Sequence, residues 1–464
     1  MRYISTRGQA PELSFEEVML TGLARDGGLY VPAEWPRLTE AEIRAMRGQS
    51  YEEIALTVMH PFIGDCFGAD EFRDLIGRAY AGFGHTARAP MVQSGDNDWI
   101  LELHHGPTLA FKDFALQLIG QMFEPVLKRR GAKVTIVGAT SGDTGSAAME
   151  AFRGSDVVDV FFLHPAGRVS EVQRRQMTTP VEPNVHAVAL EGTFDDCQNR
   201  VKDMFNDFAF RDEVGLAAAN SINWARVMAQ IVYYFSAAVA VGAPDRAVSF
   251  TVPTGNFGDI FAGHAARHMG LPIDKLVIAT NENDILHRTL ETGVYAMDGV
   301  APTVAPSMDI QISSNFERLL FELYDNDGGA VAQCMSELKE KHQFALSQGA
   351  LTTLRAGFAS GRAGREETMA TIRRMACENG YVLDPHTAIG VAVAQMRRGD
   401  RATPMITLGT AHAAKFPDAV AEACGQHPAL PQRMADIYDR PERLVTLPND
   451  LAALEAHIRQ ERRA

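Results

Sequence analysis

The amino-acid sequence predicts an α/β protein with mainly parallel sheets, built from two or more packed units. The chain has 464 residues, which exceeds the size at which a single hydrophobic core stops growing. From residue 134 onward, short apolar runs alternate with helical segments, as in proteins built of parallel strands and crossover helices. The runs are almost wholly apolar, which is typical of strands covered on both faces. They lie at 134–137, 157–163, 185–190, 248–252, 276–279 and 405–408.

Residues 1–95 are expected to form a mostly helical region. Ser14 and Thr39 are suited as N-caps, because their hydroxyls can accept a hydrogen bond from the first helical turn. The helices are predicted over 14–22, 39–46 and 69–83. A polar cluster at 94–98 then indicates a boundary. We therefore expect four regions, namely the helical region 1–95, α/β domains over 96–245 and 246–425, and a C-terminal tail over 426–464 that packs on the core.

Composition and charge exclude several classes of protein. The chain carries 44 basic and 58 acidic residues, a formal net charge of -14, so nucleic acid and anionic membranes would be repelled and neither is an expected partner. The longest apolar stretch, 232–241, contains tyrosines and a serine and is interpreted as a buried helix, not a membrane span. The 5 cysteines stand singly, which argues against disulfides and structural zinc. We expect a cytoplasmic protein, since the first residues also lack the apolar core of a secretory signal. The histidines show no metal-binding spacing, so no metal site is expected.

A glycine-rich loop at 138–145 directly follows one predicted strand and precedes a helix. It reads Gly-Ala-Thr-Ser-Gly-Asp-Thr-Gly. Its glycines permit tight turns, while its hydroxyls and free N–H groups can bind an anion. It lacks the lysine of a P-loop and does not match the dinucleotide-binding pattern. A turn whose serine and aspartate only cap a helix explains the pattern equally well.

Two further loops occupy equivalent places in the chain. The loop at 253–259 reads Pro-Thr-Gly-Asn-Phe-Gly-Asp, and its two glycines can form a concave nest of N–H donors at a helix N-terminus, which is a ready phosphate site. The loop at 408–412 carries Thr410, whose hydroxyl can meet a heteroaromatic nitrogen or cap a helix. Ligands of open parallel sheets bind at the carboxyl ends of the strands, so these loops form the candidate site.

Lys112 differs from ordinary surface lysines. Apolar residues precede it and an amphipathic segment, 114–122, follows it. Partial withdrawal from water destabilises an ammonium group and lowers its pKa, which frees the amine. A free amine is what a Schiff base with an aldehyde requires. A solvated surface lysine is the alternative.

Together these segments resemble threonine synthase, within the fold-type-II pyridoxal-phosphate (PLP) enzymes. The resemblance is ordered and nearly full-length. Its blocks are GLARDGGLYVP (22–32), HGPTLAFKDFA (105–115), ATSGDTGSAA (139–148), NSINWAR (220–226), PTGNFGD (253–259) and TAHAAKF (410–416). His104 departs from the family pattern, where an aromatic residue is expected, and so does Ala413, where proline is common. The resemblance implies two open, mainly parallel sheets flanked by helices, with a helical N-terminal region.

The resemblance also implies roles toward the cofactor. Lys112 carries PLP as a Schiff base and later shuttles protons. Thr410 meets the pyridine nitrogen, and Asp143 lies near the phenolic oxygen, where relatives often carry asparagine. An ionised carboxylate accepts hydrogen bonds but cannot donate them. The cradle for the cofactor phosphate consists of Gly255, Asn256, Phe257, Gly258 and Asp259.

Contacts with the substrate are implied by the same resemblance. The loop that holds the substrate carboxylate and closes on binding consists of Thr140, Ser141, Gly142 and Thr144. Arg226 binds the substrate phosphate, since a guanidinium offers paired N–H donors, and a surface ion pair is its alternative. The further phosphate ligands are Asn220, Ser221 and Asn223. The residues expected to make structural hydrogen bonds are His105, Asp113, His386 and His412.

The implied reaction converts the small molecule O-phospho-L-homoserine and water into L-threonine and phosphate. It combines a γ-elimination with addition of water at Cβ, and it is the last step of threonine biosynthesis. One alternative is a serine or threonine dehydratase on the same fold, which needs no phosphate-binding arginine. Another is a non-catalytic homologue that binds ligands, against which the intact Lys112 argues. The sequence leaves monomer and homodimer open.

Overall fold

Strands and helices alternate along most of the chain. The structure is a computed structural model that describes residues 1–167, 169–217 and 220–463. In chain order the strands are β1 (Tyr3–Ser5), β2 (Tyr30–Pro32), β3 (Met91–Gly95), β4 (Asp98–Glu102), β5 (Val134–Ala139), β6 (Val158–Pro165), β7 (Val185–Leu190), β8 (Leu216–Ala217), β9 (Val248–Pro253), β10 (Ile273–Thr280), β11 (Val294–Ala296), β12 (Gln343–Ala345), β13 (Phe358–Arg362), β14 (Met405–Gly409) and β15 (Val445–Leu447). The helices are α1 (Phe15–Thr21), α2 (Glu40–Ala45), α3 (Tyr51–Ile63), α4 (Ala69–Tyr80), α5 (Lys112–Arg130), α6 (Asp143–Phe152), α7 (Glu171–Thr178), α8 (Phe194–Asn206), α9 (Phe208–Val214), α10 (Trp224–Ala240), α11 (Gly258–His268), α12 (Ile285–Thr292), α13 (Phe316–Leu323), α14 (Gly328–Lys341), α15 (Gln348–Gly357), α16 (Arg365–Asn379), α17 (Pro385–Met396), α18 (Pro417–Cys424) and α19 (Leu451–Glu461).

Two open sheets carry the fold. The larger has the strand order β13-β10-β9-β14-β4-β3, and its neighbours run parallel except for the antiparallel hairpin of β3 and β4. The smaller has the order β15-β7-β6-β5-β8 and is parallel throughout. β6 and β9 are buried along their whole length, as expected of strands covered on both faces. The predicted fold class is confirmed.

The division into domains differs from the predicted one. β3 and β4 lie on either side of the boundary predicted at residue 96, yet they pair with each other, and β4 pairs with β14 from the far end of the chain. The tail 426–464 does more than pack on the core, because β15 extends the smaller sheet beside β7. Pairing between distant strands decides which sheet a strand joins, and an apolar run does not encode its partner. We therefore assign β3 and β4 to the unit that contains β9, β10, β13 and β14.

The N-terminal region is mostly helical, as predicted. Ser14 and Thr39 cap α1 and α2, and each forms a reciprocal capping box with the glutamate three residues later, which satisfies two backbone donors at once. The predicted helix over 69–83 is present as the shorter α4. α3 and the antiparallel pair β1 and β2 were not predicted.

α10 is the central helix of the larger hydrophobic core. Its side chains are buried almost all round, as expected of a helix inside a large core, and it packs against α3, α5 and α11. This helix contains most of the apolar stretch 232–241, so the prediction of a buried helix is confirmed. Among the residues that the structure describes, no helix is both long enough and apolar enough to cross a membrane.

α5 and α6 cross at very short range. A methyl group on Gly120 would overlap the backbone carbonyl of Ala151, so only glycine lets the two helices approach this closely. Lys112 is the first residue of α5 and Asp143 is the first residue of α6. The crossing therefore helps to set the distance between two predicted site residues.

We predict that Gly120→Ala destabilises the protein by about 1–3 kcal/mol, which is the usual cost of forcing a methyl group into a packed core. Urea denaturation measures the change. The matched control is Gly77→Ala in α4, where an added Cβ meets nothing within 4 Å. That control should be neutral or stabilising by about 0.5–1 kcal/mol, because alanine is the better helix former. Equal stability of the two variants would contradict the tight crossing.

Candidate active site

The segment before Lys112 and the loop that carries Thr410 are hydrogen-bonded to each other. The Phe111 N–H donates to the Thr410 carbonyl at 2.9 Å, and the His412 N–H donates to the Leu109 carbonyl at 3.1 Å. The Thr410 loop follows β14 at its carboxyl end, where open parallel sheets bind ligands. The structure thus brings two of the predicted cofactor contacts together.

The amine of Lys112 is largely withdrawn from water. The side chain is 11% exposed, and its Nζ lies 3.3 Å from Asp143 Oδ2 and 4.8 Å from the centre of the Phe111 ring. Burial lowers the pKa of Lys112; the Asp143 carboxylate opposes this, and the charges of Lys415 and Arg226 reinforce it. The free amine is therefore more available near neutral pH than that of a surface lysine.

Asp143 is held between two buried ammonium groups. Its Oδ1 accepts from Lys415 Nζ at 2.6 Å and from Gln173 Nε2 at 2.8 Å, while its Oδ2 faces Lys112. Burial alone would raise the pKa of Asp143, but the charges of Lys415 and Lys112 outweigh burial and hold it well below its ordinary value. The carboxylate therefore stays ionised and fixes both amines.

Sequence reasoning missed Lys415. It is fully buried, and its Nζ also donates to the Thr108 carbonyl at 2.8 Å. The signal was available, because Lys415 follows two alanines and precedes Phe416, the same kind of apolar surroundings that singled out Lys112.

The loop 255–258 has the features of a phosphate cradle. Phe257 adopts a left-handed conformation with φ of 64°, and among the described residues no side chain caps the helix that begins at Gly258. A Cβ at Gly255 would lie 2.8 Å from the Ser307 carbonyl, so the loop and this neighbour can approach only because residue 255 is glycine. The first N–H groups of α11 have no partner within the helix, which makes its N-terminus an anion site.

Asn315 fixes this loop and was not predicted. Its backbone N–H and its side-chain amide both donate to the Asn256 carbonyl at 3.0 Å, and the amide also reaches the Ser221 carbonyl at 3.2 Å. It thereby joins the cradle to the 220–226 segment. A polar residue in an irregular loop gives no sequence signal for such a contact.

The side chain of Asp259 is hydrogen-bonded to two tyrosines. Its Oδ1 accepts from the hydroxyls of Tyr233 at 2.5 Å and Tyr234 at 3.0 Å, and both tyrosines belong to α10. Burial raises the pKa of Asp259 to about 6. The carboxyl group ties α11 to α10, while its Oδ2 has no hydrogen-bond partner among the described residues, and the cradle role of Asp259 stays a prediction.

Arg226 is buried, and no described residue supplies a counterion to it. It lies in the first turn of α10 and is 4% exposed, and its Nε and Nη1 have no hydrogen-bond partner among the described residues. Burial lowers its pKa to about 10. The alternative of a surface ion pair is wrong. An unpaired buried cation is costly for a protein to maintain, so this arrangement indicates a site for an anionic ligand.

Thr140 shapes its own loop. Its Oγ1 accepts from the N–H groups of Gly142 and Gly145, both at 2.9 Å. Gly142 has φ of 137°, a conformation that side chains rarely adopt. Ser141 and Thr144 are partly exposed and make no side-chain hydrogen bond to any described residue, so their hydroxyls are available to a ligand while the Thr140 hydroxyl holds the turn.

The 220–226 segment contains one residue that caps a helix and two residues that are at least partly exposed. Asn223 is the N-cap of α10: its Oδ1 accepts from the Ala225 N–H at 3.0 Å, and its amide donates to the Met19 carbonyl at 2.7 Å. These bonds use one of its two N–H donors and one lone pair of its oxygen, so Asn223 has a capping role and its contact with substrate stays a prediction. Asn220 is exposed and Ser221 is partly exposed, and their contact with substrate stays a prediction.

His386 is connected to Asp143 through Ser307. The Ser307 N–H donates to His386 Nε2 at 3.3 Å, and the Ser307 hydroxyl donates to Asp143 Oδ2 at 3.3 Å. The other ring nitrogen of His386 lies 2.9 Å from Asp384. The expected structural bonds are present for His386, for His105 with Glu102 and for the other predicted residues, Asp113 and His412.

Comparison with known proteins agrees with this site. The family models "Threonine synthase N terminus", "Pyridoxal-phosphate dependent enzyme" and "Threonine synthase, C-terminal" match residues 2–80, 86–338 and 387–458. A threonine synthase of Pseudomonas aeruginosa is 54% identical over 461 residues, which is 99% of this chain and 98% of the relative. The crystal structure of PLP-bound threonine synthase from Brucella melitensis superposes with a TM-score of 0.98 at 56% identity, over 100% of both chains.

The yeast threonine synthase structure is more distant but similar throughout, with a TM-score of 0.93 at 40% identity over 99% of this chain and 98% of the yeast chain. Similarity of this extent covers each of the site segments described above, from the Lys112 segment to the Thr410 loop. The chain therefore belongs to the threonine synthase family of pyridoxal-phosphate-dependent enzymes.

Proposed function

We propose that the protein converts O-phospho-L-homoserine and water into L-threonine and phosphate, as a PLP-dependent carbon–oxygen lyase. The observation that carries this proposal is the pairing of two anion positions around one buried amine. One is the open N-terminus of α11 at Gly258, and the other is the unpaired guanidinium of Arg226, whose charge acts on Lys112. A phosphorylated cofactor together with a phosphorylated substrate requires both positions.

The residues present fit PLP. Lys112 would hold its aldehyde carbon, the 255–258 loop would hold its phosphate, and Thr410 would offer a neutral hydroxyl to its ring nitrogen. The close approach that only glycine permits at Gly255 and the lowered pKa of Lys112 both support this fit. When bound, PLP stores the negative charge left on a substrate carbon that loses a proton.

The chain's own groups then supply proton transfer and binding. The Lys112 amine removes and returns protons at Cα and Cβ, which requires a base whose pKa lies near the working pH. Asp143 and Lys415 keep that amine in place. Arg226 binds the substrate phosphate and stabilises it as it leaves Cγ, while the loop with Ser141 and Thr144 holds the carboxylate and closes to exclude stray water.

The two alternatives lack support. A serine or threonine dehydratase acts on an unphosphorylated substrate and would have no use for a buried, unpaired Arg226. A non-catalytic homologue would have no reason to keep an amine with a lowered pKa beside an intact phosphate cradle. The high identity to threonine synthases over the full length also favours the synthase.

Location and partners follow from bulk properties. We infer a cytoplasmic enzyme, because the cysteines are all free, as expected in a reducing compartment. A net charge of -14 disfavours nucleic acid as a partner. Monomer and homodimer remain open.

We predict that Arg226→Met lowers the activity of the protein without lowering its stability. The kcat/KM for O-phospho-L-homoserine should fall at least about 30-fold, because losing a buried charge-assisted contact costs about 2–5 kcal/mol. The free energy of unfolding should stay the same or rise, since the variant removes an unpaired buried charge. Phosphate release coupled to detection of L-threonine measures the first effect, and urea denaturation measures the second.

The control is Arg318→Met. Arg318 is also fully buried, but it donates to the carbonyls of Tyr30 and Ile222 and to the Asn315 side chain. Its loss should lower the free energy of unfolding by about 2–5 kcal/mol, because several buried acceptors lose a charged donor. Undiminished phosphate release by Arg226→Met would refute the proposal, as would a wild-type protein that turns over L-serine faster than O-phospho-L-homoserine.

We predict that Lys415→Met moves the low-pH limb of kcat upward by about one pH unit, a typical effect of one nearby charge on a buried amine. The charge of Lys415 helps to lower the pKa of Lys112, so removing it lets that pKa rise. A base acts only when unprotonated, hence the active range begins at higher pH. The measurement is a pH profile of kcat.

Lys415→Arg keeps the charge and should keep the wild-type limb, and it also tests whether the methionine variant acts only through misfolding. A lower kcat with an unmoved limb in Lys415→Met would show that Lys415 does not act through the pKa of Lys112.

A further inference from the structure

Outside the PLP site, three side chains of the kinds that bind metal ions lie close together. His264 and His268 are four residues apart on α11 and therefore share one face of the helix, and Glu322 on α13 meets them. Glu322 Oε2 lies 2.7 Å from His264 Nε2 and 2.8 Å from His268 Nε2, and the two ring nitrogens are 3.0 Å apart. All three side-chain atoms thus face one point.

Protons alone satisfy this triangle poorly. If both rings donate to Glu322 Oε2, their two N–H groups converge on one oxygen from nitrogens only 3.0 Å apart, which crowds the two hydrogens. If one ring nitrogen is unprotonated, its lone pair faces a carboxylate oxygen at 2.7 or 2.8 Å. A cation bound between the three atoms removes the conflict. Each atom then directs a lone pair at the ion, and each short distance separates two ligands of the same ion.

The dimensions and the ligand set are those of a zinc-type site. Bonds of about 2.0–2.1 Å in a tetrahedral arrangement place ligand atoms about 3.3 Å apart, which requires these atoms to separate by only a few tenths of an ångström. Two histidines and one glutamate form a known three-ligand zinc set that leaves a position for water. The three side chains are 13%, 32% and 19% exposed, so an ion and a water molecule can enter.

The surroundings hold the ligands in place. The Trp35 ring stacks on His268 with centres 4.9 Å apart and planes at 6°, which fixes the orientation of that imidazole. Glu322 Oε1 is buried and has no hydrogen-bond partner among the described residues, so it is free to bind the ion or its water. No metal site was predicted, because the i, i+4 spacing of the two histidines was overlooked and nothing in the sequence places Glu322 beside them.

We propose that His264, His268 and Glu322 bind a divalent transition-metal ion of the zinc type, which ties α11 to α13. Both helices begin at the phosphate cradle, α11 at Gly258 and α13 just after Asn315, which holds the Asn256 carbonyl. The histidines lie about 9–15 Å along α11 from its N-terminus, at about 1.5 Å per residue. The ion therefore stabilises the cradle by holding the two helices together, and it takes no part in proton transfer.

The test uses the full-length, PLP-loaded protein after treatment with a chelator. Titration with zinc ions, followed by calorimetry and metal analysis, should give one ion per chain, and saturating zinc should raise Tm by about 3 °C, because a ligand that binds only the folded state stabilises it. Glu322→Gln, which preserves shape, and His268→Ala should each weaken zinc binding by at least about 100-fold, as loss of a direct ligand exceeds the usual effect of losing an outer one.

The matched control is His287→Gln, a half-buried helical histidine on α12 whose ring bonds to Ser360. It should bind zinc as the wild type does, and circular dichroism checks that every variant is folded. Absence of zinc binding in the wild type would overturn the proposal, as would equal binding by Glu322→Gln or a bound ion that leaves Tm unchanged.

Discussion

The ion pair of Asp143 with two buried lysines is the interaction on which the rest of the site depends. A buried ammonium group needs a counterion, and one carboxylate serves both Lys112 and Lys415. With Arg226 nearby, the pocket holds more buried positive than ionised negative charge. That surplus is costly in the free protein, and a phosphorylated cofactor and a phosphorylated substrate would neutralise it. The charge balance of the pocket is thus complete only when its ligands are bound.

The fold creates this pocket at the places where strands end and helices begin. Lys112, Asp143 and Gly258 are each the first residue of a helix, where unpaired N–H groups and the helix dipole favour anions. α10 connects these elements, since it packs on α5 and α11 and carries both Arg226 and the tyrosines that bind Asp259. Stability and function therefore use the same helix, since Arg226 and Tyr233 lie about two turns apart on it.

The features that the sequence predicted correctly are those that depend on neighbouring residues. The glycine loops, the caps at Ser14 and Thr39, the apolar strands and the unusual setting of Lys112 are each encoded within a few neighbouring residues. The contacts that were not predicted involve partners that are distant in the chain. The Asn223 amide is taken by Met19, 204 residues earlier, and no pattern near residue 223 reveals this.

The same reason explains the missed elements. β13 reads Phe-Ala-Ser-Gly-Arg, which lacks the continuous apolar run of the other strands, and it joins the edge of the larger sheet beside β10. The two histidines on α11 become a potential metal site only through Glu322, which α13 supplies. Lys415 is the exception, since its apolar neighbours were visible in the sequence. They indicate a buried lysine in the same way as the apolar residues before Lys112, but no role was predicted for Lys415.

Two buried lysines flank one carboxylate, and only one of them can carry the cofactor. Burial lowers the pKa of Lys112, whereas Lys415 donates to both Asp143 and the Thr108 carbonyl, so Lys112 is the reactive amine. Borohydride reduction of the PLP-loaded protein, followed by proteolysis and mass spectrometry, identifies the modified lysine. We expect the pyridoxyl-phosphate mass on the peptide that contains Lys112 and none on Lys415. A label on Lys415, or on no lysine at all, would contradict this assignment.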